Sequence, residues 1–174
     1  MQGYETSPRV SPDGRWIAFT GRQYGNADVF VMPVNGGDVR QITFHSGNDD
    51  VSSWSWDSKS IYFNSGRMGQ VAGFKVSAGG GTPQRVFGNY FFQYDHNLVE
   101  HPATGEIFFN DTWESSNQVH RKRYKGPFNP DVQSYNVKTK QHKKYTDWQG
   151  KDFGATIDRN GNIYFISDEA NGEY

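Results

Sequence analysis

The sequence predicts an all-β chain, a partial β-propeller of about three and a half four-stranded blades. Three observations carry that prediction. A turn-and-strand unit, Ser11-Pro12-Asp13-Gly14-Arg15-Trp16-Ile17-Ala18-Phe19, returns 44 residues later as Ser55-Trp56-Asp57-Ser58-Lys59-Ser60-Ile61-Tyr62-Phe63. Only 34% of the residues are hydrophobic, yet 16% are aromatic and 20 of the 174 are glycine, a balance that favours short twisted strands and tight turns. Helix signals are almost absent: the helical reading of His120 to Lys125 is short, and Gly126-Pro127 ends it.

The first unit shows the internal grammar of a blade. Ser7 to Ser11 form the inner strand. Ser-Pro-Asp-Gly makes the turn, because Pro12 presets φ, Asp13 bonds back to the backbone and Gly14 tolerates positive φ. Arg15 to Thr20 follow as a second strand, with Trp16, Ala18 and Thr20 on one face and Ile17 and Phe19 on the other. Ala27 to Val34 form the third strand, which ends in the turn Asn35-Gly36-Gly37. Asp38 to Thr43 form the outer edge, where Arg40 and Gln41 oppose edge-to-edge aggregation.

The register persists downstream. Gly21-Arg22 recurs as Gly66-Arg67, and Arg40 as Arg85. A degraded third copy reads Ala103-Thr104-Gly105-Glu106-Ile107-Phe108-Phe109, and a fourth spans Asp158 to Ser167. The spacing from Ile107 to Ile163 is about a dozen residues longer than the first, which places an insertion near His120 to Pro130. Repeats of roughly 40 to 45 residues are propeller blades. The single domain 1–174 therefore divides into blades at about 6–49, 50–92, 93–151 and 152–174, with the last expected to be incomplete. Such a piece exposes two blade faces, to be covered by the missing remainder of its own ring or, through these open faces, by a second copy in a homodimer.

Composition narrows the function. A net charge of −1 gives no general pull toward nucleic acid. No cysteine is present, so thiolate and disulfide chemistry are excluded. No apolar run is long enough for membrane insertion, and Met1 to Glu5 do not begin a signal peptide.

The residues carry a family resemblance. The repeated Ser-Pro-Asp-Gly unit resembles the repeats of TolB, Tricorn and prolyl-oligopeptidase-like propellers. The run Asn26 to Gly37, followed by Arg40-Gln41-Ile42-Thr43-Phe44-His45, resembles the N-terminal six-bladed propeller of bacterial Tricorn-type serine peptidases. The segment Trp113 to Asn129 is similar to that family's third-blade excursion. The resemblance implies a non-catalytic propeller that gates, channels or docks peptides for a separate C-terminal peptidase domain, in the periplasm or cell envelope. A stand-alone TolB-like interaction propeller and the propeller of a prolyl-oligopeptidase-like enzyme are the alternatives.

Candidate sites are few. There is no Gly-x-Ser-x-Gly elbow, so no catalytic residue is assigned, and no cofactor is expected. No metal site is expected either: His96 and His101 suit neither one helix face nor one strand face. His45, beside Asn48-Asp49-Asp50, comes nearest to one. Gly79-Gly80-Gly81 falls in a strand-to-strand turn, which explains it without a phosphate. Arg22 and Arg67 recur, with acids before inner strands at Glu5, Asp49 and Asp152 and with Asp95 nearby, so each arginine is expected to bridge to the neighbouring blade. The basic run Arg121, Lys122, Arg123, Tyr124 and Lys125, after His120, is the candidate docking site for an acidic peptide, a peptide C-terminus or another domain. Tyr90-Phe91-Phe92 and Trp113 suit a peptide channel or blade packing equally.

Overall fold

The structure, a computed structural model, describes residues 4–87, 94–117, 120–121 and 124–169. It is an all-β partial propeller of consecutive antiparallel sheets. The first sheet contains β1 (Glu5–Val10), β2 (Trp16–Gly21), β3 (Asp28–Pro33) and β4 (Arg40–Gln41), in that spatial order. The second repeats it with β5 (Asp49–Trp54), β6 (Ser60–Ser65), β7 (Ala72–Ser77) and β8 (Gln84–Arg85). The third has β9 (His96–Glu100), β10 (Ile107–Asn110), β11 (Gln133–Asn136) and β12 (Gln141–Lys144). The fourth pairs β13 (Asp152–Ile157) with β14 (Ile163–Ser167).

The turn from the innermost strand to the next is built the same way in each sheet. The Ser11 hydroxyl donates to the Asp13 carboxylate at 2.6 Å, and Ser55 does the same to Asp57 at 2.6 Å. In the degraded copies, the His101 ring accepts the amides of Ala103 and Thr104, and the Asp158 carboxylate accepts those of Asn160 and Asn162. The residue that must enter the left-handed region is Gly14, Gly105 or Gly161 in three sheets, and Ser58 at φ 59° in the second. Each innermost pairing also carries a register shift. Beside the shift, Ser7, Asn97 and Gly154 take positive φ, which bends the strand and re-aims its side chains.

The core lies between successive sheets, because alternating residues of one strand face opposite neighbours. Ala18, Val29 and Val31 of the first sheet meet Val51, Trp54, Ile61 and Phe63 of the second. Tyr62, on the other face of β6, joins Leu98, Ile107 and Phe109. Phe108 then points onward to Ala155. At the second seam Leu98 comes so close to Gly73 that a Cβ there would lie 2.4 Å from a Leu98 methyl carbon. The outward face of the first sheet keeps an apolar dent of about 260 Å³ over Ile17, Phe19 and Met32.

The expected edge strand Asp38 to Thr43 is shorter, with ladder pairing only at Arg40–Gln41, a compact edge that offers little backbone for pairing. The helix also sits elsewhere than expected. It is α1 (Trp113–Asn117), at the start of the insertion, while the described residues between His120 and Lys125 are irregular. Glu114 lies in the first turn of α1, where a carboxylate suits the helix dipole. Among the described residues, no helix is long and apolar enough to cross a membrane.

Candidate functional site

The inner strands β1, β5, β9 and β13 surround a channel. Its loop end, where these strands begin, holds a cavity of about 350 Å³. Asp50, Ser52, Asn64, His96, Asn110 and Ser115 are among its lining residues. Most of the lining is neutral hydrogen-bonding side chains, suited to an uncharged polar chain, with Arg9 and Asp50 the charged groups among them. Burial raises the Asp50 carboxyl above its ordinary range; the Arg22 charge opposes that shift and Asp49 adds to it. Burial also lowers the pKa of His96. The Tyr94 carbonyl can only accept, so His96 Nδ1 carries the proton at 2.9 Å, and Nε2 lies 2.9 Å from the Ser115 hydroxyl, which also bonds the Thr112 carbonyl at 3.0 Å.

At the turn end a smaller cavity, about 200 Å³, lies among Arg9, Trp54, Trp56 and Glu100. Beside it the Arg159 guanidinium donates to the Pro12 carbonyl at 3.1 Å, so the turn of the fourth sheet reaches that of the first.

The insertion is folded against the third and fourth sheets. Glu114 is fully buried and its two oxygens face two cations: Lys151 Nζ at 3.0 Å, itself fully buried, and Arg121 at 3.4 Å, half exposed. Trp113 packs on Phe128, and the Asn129 side-chain amide donates to the Gln149 carbonyl. Lys151 is anchored in turn, since its amide donates to Asp168 at 2.8 Å and Trp148 Nε1 donates to the same carboxylate.

The expected docking residues are therefore partly engaged. Arg121 pairs with Glu114 and lies 4.1 Å from the Tyr124 ring centroid; the Lys125 ammonium lies 5.9 Å from that of Trp148. Lys122 and Arg123 lie outside the described residues, as do Tyr90, Phe91 and Phe92. His45 accepts the Gly47 amide at 2.9 Å and so closes a local turn.

The expected arginine bridges between blades take a different form. Arg67 pairs with Asp49 at 2.6 Å, but Asp49 opens β5, so the pair joins two parts of one sheet. The guanidinium also lies over the rings of Phe63 and Phe74. Arg22 influences Asp50 of the next sheet by charge at a distance, and among the described residues it forms no ion pair. Glu5 is exposed at the start of β1, while Asp152 is buried and donates its amide to the Pro130 carbonyl at 2.9 Å. Side chains bonded to a neighbour's backbone tie the seams instead: Arg9 Nε donates to the Ser52 carbonyl at 2.8 Å, and the Glu100 carboxylate accepts the Trp56 amide at 3.1 Å. Thr20 Oγ1 accepts the Val51 amide at 2.9 Å, and Ser53 donates to the Leu98 carbonyl at 2.7 Å. Asn110 accepts the Gly154 amide at 3.1 Å and donates to the Asp152 carbonyl at 3.1 Å. Thr20, Ser53 and Asn110 reach across a seam without the desolvation penalty of a buried charge.

Two features escape a reading of the sequence. Among the described residues the Glu114–Lys151 pair has no counterpart in the other units, so no pattern announces it. A second repeat was there to be found. Thr43 accepts the Val29 amide beside Asp28, and Thr146 accepts the Val132 amide beside Asp131. In both cases Asp-Val precedes the Thr by the same interval.

Comparison with known proteins places this geometry. The family described as Tricorn protease N-terminal beta propeller domain matches residues 1–173. An uncharacterised protein of Agrobacterium fabrum is 28% identical over 113 residues, covering 56% of this chain and 39% of its own. A protein assigned as tricorn protease homologue 2 of Streptomyces coelicolor is 47% identical over 49 residues, covering 28% of this chain and 4% of its own. Among solved structures, a protein assigned as TolB from Agrobacterium tumefaciens superposes with a TM-score of 0.68 at 18% identity, covering 96% of this chain and 60% of that one. The chain thus spans less than two thirds of each of these proteins.

Proposed function

We propose, from the premise that this chain belongs to the Tricorn protease N-terminal β-propeller family, that it admits or docks peptides for a peptidase domain elsewhere in its parent protein and performs no chemistry itself. The observation that carries this reading is the loop-end cavity, lined mostly by neutral hydrogen-bonding side chains, with a basic insertion folded beside it. An extended peptide presents amides to such a wall, and the exposed half of Arg121 with Lys125 offers charge to an acidic residue or a terminal carboxylate. The apolar dent on the first sheet is the seat of a further sheet of the same ring, because the described seams bury the same kind of face. Placement in the bacterial envelope belongs to the same proposal.

The test is titration of the chain with acidic, neutral and basic peptides, followed by tryptophan fluorescence, with the products examined by mass spectrometry. Acidic peptides are expected to bind without being cleaved, and R121A with K125A to weaken them about tenfold, the scale of one charged hydrogen bond. Equal affinity of all peptides, or cleavage by the chain alone, refutes the reading. A second reading, a TolB-like protein-interaction propeller, is favoured by the superposition over 96% of the chain; it expects a folded protein partner and no affinity for short peptides.

A further inference from the structure

We infer that α1 is a latched lid over the loop-end mouth of the channel, with the Glu114–Lys151 ion pair as its latch. The inference rests on reading the channel as the functional site, and it concerns who controls entry. The cavity is lined by the beginnings of inner strands, at Ser7, Asp50 to Ser52, His96 and Gly154, and by Ser115 and Ser116 of α1. The helix therefore stands at the mouth, where its displacement would enlarge the opening. A neighbouring cavity, beside Asn48, Asn64 and Tyr94, is also walled by Ser116.

Five residues are too few for a helix to hold itself together in water, so its place must be set by tertiary ties. Two such ties lie on opposite sides. Ser115 bonds His96 of β9 at 2.9 Å, and Glu114 pairs at 3.0 Å with Lys151, which immediately precedes β13. One tie reaches the third sheet and the other the fourth, so the helix spans the seam between them. Both partners of the ion pair are fully buried, so parting them would strand two buried charges, unless both emerge together. That makes the closed position sharply defined. Arg121 holds the second Glu114 oxygen from farther away and half in solvent, so it steadies the carboxylate without closing the latch.

The chain has no cysteine, so a single introduced thiol reports access cleanly. Ser52 lines the cavity and is 4% exposed. The S52C protein is treated with a small thiol reagent, with A18C, in the core between the first two sheets, as the control for general loosening. E114A/K151A removes both charges and leaves neither stranded. It is expected to raise the reaction rate at position 52 at least tenfold and to leave position 18 unchanged, while R121A changes position 52 less than twofold. S115A, which keeps the ion pair and removes the second tie, is expected to give a severalfold rise and serves if the double variant does not fold. No rise at position 52 in the folded variants, or an equal rise at position 18, overturns the latch. The assay uses no peptide, so its failure is distinct from a failure of peptide binding.

Discussion

The closest approach between sheets gives the sharpest prediction. Replacing Gly73 by alanine adds one methyl group at a point 2.4 Å from one Leu98 methyl carbon and 2.9 Å from the other. Carbon atoms do not pack inside about 3.5 Å, so Leu98 must leave its rotamer or the seam must open. Leu98 is fully buried among Tyr62, Phe87, Ile107 and Phe109, which leaves it little room to yield. Overpacking of this kind costs about 1–3 kcal/mol, and a chain of this length loses roughly 2–4 °C in melting temperature for each kcal/mol. G73A is therefore expected to melt about 4–8 °C lower, at the middle of that range. The mechanism is tested by a double-mutant cycle in urea, followed by tryptophan fluorescence. L98A alone leaves a cavity and loses about 2–5 kcal/mol. In G73A/L98A the new methyl meets no leucine, so the two losses should fall short of additive by at least about 1 kcal/mol. Additive losses, or a G73A protein as stable as the parent, would refute the claim that this glycine is there for the approach of Leu98.

Two further predictions follow from buried charge. Arg67→Met leaves the fully buried Asp49 without its 2.6 Å partner, and a loss of about 3–5 kcal/mol in urea unfolding is expected; D49N/R67M should recover much of it, and a double variant no more stable than R67M would show that the ring contacts of Arg67, not its charge, matter. Asp95 is buried, which raises its pKa to about 7, with Arg85 opposing and Asp111 adding to the rise. Between about pH 4 and pH 7 the unfolded chain ionises this group while the folded one keeps its proton, so its contribution to stability falls as pH rises and levels off above about 7. D95N should therefore gain on the parent across that interval and match its pH dependence below about pH 4; a constant difference over the whole range would refute the assignment.

What the sequence revealed was what lies close along the chain. Ser11 and Asp13 sit two residues apart and form their bond within one turn, so the repeat displayed both the motif and its purpose. Alternation along β2 likewise separated Ala18, which faces the second sheet, from Ile17 and Phe19, which line the outward dent. The seams were misread for a physical reason. A search for charge pairs looks for an arginine facing an acid, whereas the seams are tied by side chains as different as Arg9, Thr20, Ser53 and Asn110, which share only a bond to a neighbour's backbone. The insertion was legible as a basic run, and its anchoring was not. Glu114 and Lys151 lie far apart in sequence and meet only because the third and fourth sheets are adjacent. The position of α1 was hidden for the same reason: its stability comes from partners outside it.

The seams have a consequence for how the molecule comes apart. The ties described here join each sheet to the next, with Arg159 reaching back to Pro12 as the long-range exception. Such an array behaves like a row of coupled units, each steadied by its immediate neighbours. The second sheet, seamed on both faces, should release its amide protons last, and the fourth, with a seam on one face and Tyr164 and Ile166 exposed, should release them first. Hydrogen exchange would then read as a staircase along the chain, and joining a further sheet at the dent over Phe19 should raise the step of the first sheet.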